Sequence, residues 1–578
     1  MHVIATAGHI DHGKSTLIRA LTGMEPDRWA EERRRGLTID LGFAWTDLDA
    51  ERVAFVDVPG HGRFVPNMLA GIGPVPAALL AVAADEGWQE QSTEHLDALD
   101  ALGVRHGILA VTRCDLADPA DALTQARERL DGTALADVPA VPVSATTGAG
   151  LDRLRAALAD LVGGLPEPDP EADPRLWVDR AFTIRGAGTV VTGTLAAGRL
   201  RVGQRLRLHP AGRDVVVRGL QALGTEAAEV TGVARVAVNL RGADLDQVRR
   251  GDALLAPGRW LDVTEFDARV PDAAALPREP VLHVGAAAVP VRVRPLGADT
   301  ARLTTSVPLP LRIGDRALLR DPGAHRIAGG LVVLDVRPPA LTRRGAARSR
   351  AAELAGLTGR PDAAAELRRR GLVHVDELRG MGAAPPSAGP WLLDDRRRDE
   401  LAARLPGLVR EHQRAHPLDD GMPAEAARRA LGLPDAALFE AVARAAGLAP
   451  RDGRIGSSDR LPEGVRAAVE AIRADLAEQP FQAPTADRLH ALGLGERELA
   501  AAERTGALVR LAPGLVLLPD ALDAAVQRLA ELPEPFTLSQ ARQALGTSRR
   551  VAVPLLELLA ARGRTKRTPD GGHCLVTG

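Results

Sequence analysis

Lys14 is one of only two lysines in a chain of 578 residues, and it stands in the stretch GHIDHGKST, residues 8–16. Gly8, Gly13, Lys14 and Ser15 fit G-x-x-x-x-G-K-S, in which glycines let backbone N–H groups close around phosphates at a helix N-terminus. The lysine places a point charge on the β- and γ-phosphates, and the serine hydroxyl can ligate Mg²⁺. Arginine is bulkier and planar, a physical reason for lysine to persist here in a chain that prefers arginine elsewhere. Asp11, His12 and Thr16 complete the stretch and are assigned to the same nucleotide site. The competing reading is a fortuitous glycine-rich turn. The β-branched apolar run HVIATAG before it and LIRALTG after it, apolar at helical spacing, argue for strand–loop–helix instead.

Further chemistry-bearing residues follow in order. VAFVDVPGHG (53–62) is a buried-strand pattern ending in Asp57-x-x-Gly60, where the carboxylate would hold Mg²⁺ through water and the Gly60 N–H would meet the γ-phosphate. GILAVTRCD (107–115) ends in Thr112-Arg113-Cys114-Asp115, and Asp115 can accept from both N1–H and N2–H of guanine, which adenine cannot offer. VPAVPVSATTG (138–148) ends in Ser144-Ala145. Between the first two motifs, EERRRGLTIDLGF (31–43) places Thr38 where a segment could reach the metal and sense the γ-phosphate. Its charged start also reads as a solvated loop. Each late motif alone is weak; together they predict a guanine-nucleotide domain using GTP/GDP and Mg²⁺, with Ser15, Thr38 and Asp57 as metal-associated oxygens.

The elements that must position these residues make up several domains, since one core cannot serve 578 residues. An α/β P-loop GTPase domain is expected over 1–168. The Pro-rich, acidic GGLPEPDPEADP (163–174) reads as a linker. Short β-rich runs separated by Gly turns then predict two β-barrel domains, 175–258 and 261–339, neither with a nucleophile–base pair or metal cluster. Beyond them the pattern turns helical. ARRALGLPDAALFEAVARAAGL (427–448), DRLHALGLGERELAAAERTGAL (487–508) and ARQALGTSRRVAVPLLELLAARGR (541–564) share a helix ending in Ala-Leu-Gly, a turn, a second amphipathic helix, then Gly and a short hairpin. That plan predicts α+β winged-helix repeats over 345–578, in units of about 345–400, 401–460, 461–520 and 521–578.

Charge separates the last unit from the rest. The chain as a whole carries −2, whereas Ala541–Gly578 holds seven basic side chains against two acidic ones, a local +5. Arg549 and Arg550 open the second helix, and Arg564, Lys566 and Arg567 precede a Pro-Asp-Gly-Gly turn that would form the wing. This is the footprint of a nucleic-acid site, with a solvated basic tail as the bland alternative; the motif does not choose between DNA and RNA. Hydrophobic content of 45%, no apolar run long enough to span a bilayer and no signal-peptide pattern at the start exclude a membrane protein. Two cysteines, Cys114 and Cys574, make no disulfide framework, and a cytoplasmic, monomeric protein is expected.

GHIDHGKST, RGLTIDLGF and DVPGHGRFVPNMLAG strongly resemble the translational GTPases related to EF-Tu. The resemblance implies that His61 positions or polarises the attacking water, and that Ile10 and Leu37 form an apolar gate beside it. The family usually reads the base with Asn-Lys-x-Asp; here the motif is Thr-Arg-Cys-Asp, so Thr112 makes fewer hydrogen bonds, Arg113 covers the base and Asp115 carries specificity. WVDRAFTIRGAGTVVTGT, VARVAVNLRG and LLRDPGAHRIAGGLVVLD look like the second and third domains of the bacterial selenocysteine-specific elongation factors. That branch implies delivery of selenocysteinyl-tRNA to ribosomes at UGA codons, with the C-terminal unit on an mRNA hairpin. By the same resemblance Asp179, Arg180 and Arg235 line the aminoacyl pocket, where arginines would favour a selenolate anion; barrel-rim salt bridges are the competing reading. The alternatives are a general EF-Tu-like factor, against which the long repeat-containing tail argues, and a nucleotide-sensing DNA-binding regulator, against which the two barrels argue.

Overall fold

The computed structural model describes residues 1–26, 40–48, 51–61, 64–73, 75–186, 188–324, 326–456 and 461–576. Thr38 and Leu37 lie outside the described residues. The chain divides into two compact units, Met1–Glu366 with Val373–Pro390, and Leu367–Leu372 with Trp391–Gly578.

The first unit opens with β1 (His2–Ala7), α1 (Lys14–Thr22), β2 (Gly42–Leu48), β3 (Glu51–Asp57), α2 (Val65–Ile72), β4 (Ala77–Ala83), α3 (Glu90–Ala101), β5 (His106–Thr112), α4 (Ala120–Leu130), β6 (Ala140–Pro142) and α5 (Leu151–Gly163). The strands form one sheet in the order β2-β3-β1-β4-β5-β6. Only β2 runs antiparallel, with Phe43 opposite Val56. Helices cover both faces, so a central strand such as β4 is buried at every position. Along β1, Val3, Ala5 and Ala7 face a core shared with α2, α3 and α4, while Ile4 faces one shared with α1 and α5. All the strands but β2 are parallel, so the loops after β1, β4, β5 and β6 emerge on one edge, where a ligand crevice is expected.

The first β-rich block closes because Arg205–His209 pairs with both Arg213–Ala222 and Ala253–Leu255. Its interior is aliphatic, with Leu176, Val191, Val215, Val236 and Val238 buried. The second block is a closed barrel of the strands between Val263 and Asp335. It meets the GTPase sheet's helix α3 at Gly330, where an added Cβ would lie 2.7 Å from Ala101 Cα. The helix Ala346–Ala355 docks on this barrel through Arg350, which reaches Asp267 at 2.7 Å and also Asp335.

In the second unit, short antiparallel strand pairs accompany helix pairs three times: Met422–Pro423 with Arg454–Ile455, one strand on each side of its helix pair, and the hairpins Val509–Ala512 with Leu515–Leu517 and Thr565–Arg567 with His573–Leu575, each after its helix pair. The shared Leu-Gly has one geometry throughout. Gly432, Gly493 and Gly546 have φ of 70, 69 and 58°, and the next N–H reaches back to Arg428 O, Leu489 O and Arg542 O. Each is a left-handed C-cap that turns the chain sharply into the second helix. The helix Asp395–Ala415 runs through the 400/401 junction drawn from sequence and places Leu401, Leu405 and Val409 in the core of 401–455. The last two units share one core, from Val465 to Leu559. Among the described residues no helix is long and apolar enough to cross a membrane.

Candidate functional site

The loop from β1 to α1 wraps a cationic centre. Lys14 is buried, and its Nζ donates to Gly8 O at 3.0 Å and His9 O at 2.6 Å, bonds that prop the loop around the ammonium. The Gly13 N-cap supplies no side-chain acceptor, which leaves the first N–H groups of α1 without a capping side chain. Ser15 Oγ donates to Asp57 Oδ2 at 2.6 Å, and Thr6 Oγ1 donates to Asp57 Oδ1 at 2.7 Å. A serine hydroxyl beside a buried carboxylate is a hard-oxygen donor set that fits Mg²⁺. Among the described residues no group of three or more His, Cys, Asp or Glu side chains is placed to hold a metal ion. Gly60 lies directly on the loop: a Cβ there would fall 2.6 Å from Lys14 Nζ and 2.7 Å from Ile10 N. The next residue, His61, lies at the start of the turn into α2, its ring 5.8 Å from Phe64, and it lines a cavity of about 820 Å³ with Gln91, Glu94 and Arg320.

The base-reading candidates come together at the ends of β5 and β6. Thr112 Oγ1 donates to His12 O at 2.9 Å, tying the motif to the phosphate loop. Arg113 adopts φ 56° and spans Asp85, Glu86 at 2.7 Å and Asp11 O. Its guanidinium therefore lies across the loop rather than in solvent. Asp115 is exposed, Ser144 is buried and caps its own turn through Thr147 N at 3.1 Å, and Ala145 lies next to it. Asp11 and Thr16 are exposed at the loop's rim. Thr38 lies outside the described residues, so the third metal-associated oxygen is not part of this geometry.

Sequence reasoning missed the groups that brace the phosphate loop from below. His95 on α3 accepts the Gly8 N–H at its Nδ1, 3.0 Å away, and Gln91 Oε1 accepts from Ile10 N at 3.4 Å. His95 and His12 are 2% and 0% exposed, and burial lowers their pKa to about 3 and about 4. Both are therefore neutral in the folded protein at neutral pH. Unfolded, each would titrate near 6.5, so below that pH the unfolded chain binds protons that the folded one refuses. Stability is complete above about pH 6.5 and falls as pH drops toward 4, by up to about 2 kcal/mol per histidine at pH 5. We expect a lower melting temperature at pH 5 than at 7.5, and a smaller difference in His95→Gln. An unchanged difference in that variant would show that His95 does not carry the effect. A histidine in QSTEHLDAL reads only as one position of an amphipathic helix; its target is 87 residues away.

On the first barrel the three predicted pocket residues stand close to β2. Asp179 receives Arg235 through both guanidinium nitrogens, one at 2.8 Å, and Thr192 Oγ1 at 2.7 Å. Arg235 lies 3.9 Å over the Phe43 ring. Arg180 turns instead to Asp40 Oδ2, 2.8 Å, and Leu41 O, 3.2 Å. The same barrel carries a separate cavity of about 590 Å³, walled by Ile184, Val190 and Leu220 and edged by Arg218, Gln221 and Asn239. In the second unit, Arg549 and Arg550 are exposed in the first turn of Arg549–Ala561, a helix whose Ser548 N-cap makes no side-chain hydrogen bond and whose first turn has no acid. Cations at that end oppose the helix dipole. Lys566 and Arg567 are exposed on the wing strand, and Arg564 pairs with Asp523 at 2.8 Å.

A mostly parallel-sheet domain with this lysine-centred loop, a Ser15–Asp57 hydroxyl–carboxylate pair and two appended barrels defines a GTP-switch protein of the multidomain kind. Residues 1–163 match the elongation factor Tu GTP binding domain family and 188–255 match elongation factor Tu domain 2. Residues 276–340 match the selenocysteine-specific elongation factor β-barrel domain, and 527–573 the elongation factor SelB winged helix. The chain is 35% identical over 295 residues to elongation factor Tu 2 of Streptomyces avermitilis, covering 46% of this chain and 75% of that protein. It is 40% identical over 352 residues to the selenocysteine-specific elongation factor of Desulfomicrobium baculatum, covering 57% of this chain and 55% of the relative, about half its length. The crystal structure of a bacterial selenocysteine-specific elongation factor has the same fold, with a TM-score of 0.77 at 24% identity over 100% of both chains. The chain belongs to the translational GTPases related to elongation factor Tu, and it carries domains that mark the family's selenocysteine-specific branch.

Proposed function

We propose that this protein is a selenocysteine-specific elongation factor that delivers selenocysteinyl-tRNA, in its GTP-bound form, to the ribosomal A site at UGA codons. The observation that carries the reading is the union in one chain of a GTP-switch domain with a barrel and a last winged helix of the selenocysteine-specific type. Lys14 and the N–H groups of residues 8–16 hold the phosphates, while Thr112, Arg113, Asp115, Ser144 and Ala145 receive the guanine. Ser15 and Asp57, with Thr38, hold Mg²⁺, which neutralises phosphate charge when bound. His61 orients the attacking water from the loop that Gly60 presses against the lysine. Asp179, Arg180 and Arg235 receive the aminoacyl side chain: a selenol ionises at neutral pH where a serine hydroxyl does not, and guanidinium groups favour the anion. The cavity beside Gln221 and Asn239 has apolar walls and polar edges that suit the terminal nucleoside of a tRNA. Arg549, Arg550, Arg564, Lys566 and Arg567 grip an mRNA hairpin, which raises the local concentration of the complex at one codon.

The test is a competition among selenocysteinyl-tRNA, seryl-tRNA and bulk aminoacyl-tRNA for the GTP-bound protein. We expect a preference of at least about 100-fold for selenocysteinyl-tRNA, the size that a dedicated polar contact supports. Arg235→Ala should remove most of that preference while leaving seryl-tRNA binding nearly unchanged. Equal affinity for all three in the native protein would favour the general elongation factor.

A further inference from the structure

The barrel face that carries Arg180 and Arg235 holds a third guanidinium. Arg250, in the loop after the turn Leu245–Gln247, is exposed, with its side chain 31% accessible, and the desolvation that it does undergo lowers its pKa. It donates to Asn67 Oδ1 at 2.7 Å and to the Pro66 and Asn67 carbonyls at 3.2 and 3.3 Å, all on α2 of the GTPase domain. Its NH1 also stands 3.9 Å from Asp40 Oδ1. The other oxygen of the same carboxylate, Oδ2, is the one that Arg180 holds at 2.8 Å.

The charges on this face are unequal. The barrel contributes three arginines and one carboxylate, Asp179, whose two oxygens are already engaged by Arg235 and Thr192. The remaining negative group comes from the GTPase domain, in Asp40, 140 residues from Arg180 in sequence. Its two oxygens point to two different barrel arginines. Leu41 O, from the next residue, adds a second acceptor to Arg180 at 3.2 Å. Phe43, two residues further on, forms the aromatic floor under Arg235 at 3.9 Å and borders Arg180 at 5.7 Å. Asp40 thus occupies the position that a small anionic group would take between these arginines.

We propose that Asp40 is a built-in occupant of the barrel's anion site, that Arg250 is a third arm of that site, and that an anionic aminoacyl side chain must displace Asp40 to bind. The inference rests on the reading that this face receives the aminoacyl end. An internal carboxylate that fills the site lowers the apparent affinity for an external anion to the intrinsic affinity multiplied by the fraction of molecules in which the site is free. It does so selectively, because a neutral side chain gains nothing from the vacated guanidinium groups. Arg250 gives the displacement a second consequence: it joins Asp40 to Asn67 on α2, the helix that follows His61. An anion that takes over Arg180 and Arg250 therefore competes with contacts to the GTPase domain on both β2 and α2.

The experiment uses the full chain loaded with a non-hydrolysable GTP analogue, and measures dissociation constants for selenocysteinyl-tRNA and seryl-tRNA. Asp40→Asn keeps the size of the side chain and removes its charge. We expect it to bind selenocysteinyl-tRNA about fivefold more tightly, with seryl-tRNA changed by less than twofold, the scale of one partly exposed ion pair. Arg250→Gln should weaken selenocysteinyl-tRNA about tenfold and seryl-tRNA much less. No gain in Asp40→Asn, a loss, or an equal gain for both tRNAs would overturn the proposal and make the contact an ordinary interdomain ion pair. Equal losses in Arg250→Gln would reduce Arg250 to a tether of α2. Arg235→Ala separates the two layers of argument. If it abolishes the preference while Asp40→Asn is neutral, the aminoacyl reading stands and the competitor fails; if it changes both tRNAs alike, the aminoacyl reading itself fails.

Discussion

Replacing His61 by alanine is expected to leave GTP affinity nearly unchanged and to lower ribosome-stimulated hydrolysis by about 10²–10⁴-fold, the usual worth of a group that positions or polarises the reacting water. The two halves of the expectation come from geometry. On the proposed reading the phosphates are held by the loop around Lys14, propped by Lys14 Nζ on Gly8 O and His9 O, and by the first turn of α1. The ring instead lines the cavity between α3 and the second barrel, one residue past the Gly60 that touches Lys14 Nζ. Multiple-turnover phosphate release with ribosomes, alongside equilibrium nucleotide binding, separates the effects. Unchanged turnover would remove His61 from the reaction, and a matched loss of nucleotide affinity would make it a binding residue.

The second large effect is structural. The Arg350 side chain is 2% exposed and joins three carboxylates, Asp267 at 2.7 Å, Asp335 and Glu353 at 2.7 Å; the first two are fully buried. Arg302 reaches Asp267 from the other side, at 2.7 Å. Arg350→Ala removes one cation from a dry network and leaves two buried carboxylates short of charge, so it should cost about 3–5 kcal/mol. Urea unfolding should report this as an earlier transition of the first unit. Combining Arg350→Met with Asp335→Asn should recover part of the loss, because the second change removes a stranded charge. A cost below about 1 kcal/mol would mean that water solvates these groups, and that the helix Ala346–Ala355 is not held by them.

Neither histidine braces nor ion networks were legible in the sequence to the same degree as the phosphate loop. GHIDHGKST carries its own instructions because the backbone turn, the lysine and the serine sit within nine consecutive residues, and local conformation alone brings them together. The same holds for the Ala-Leu-Gly turns, where the helix and its C-cap are contiguous and the glycine's left-handed φ is a local requirement. Arg350, by contrast, lies in AARSRAAELA, which reads as an ordinary solvated helix. Its burial depends on two aspartates more than ten residues away on separate barrel strands.

The chain's order of motifs determined a GTP-switch domain, two barrels and a basic last winged helix, since strand period, helix period and turn residues are properties of neighbouring positions. Domain junctions were less certain in sequence, as the helix through residue 400 illustrates: nothing in DDRRRDELAARLPGL signals a break, and even Pro406 sits inside it. Only the tertiary structure decided how the domains address one another. It set Asp40 between Arg180 and Arg250, Phe43 beneath Arg235, and His95 beneath Gly8. Those partners are separated by 87 to more than 190 residues, and no local pattern can select among so many arginines and acids. What selects them is the face that each barrel turns to the sheet, a consequence of packing that a periodicity does not contain.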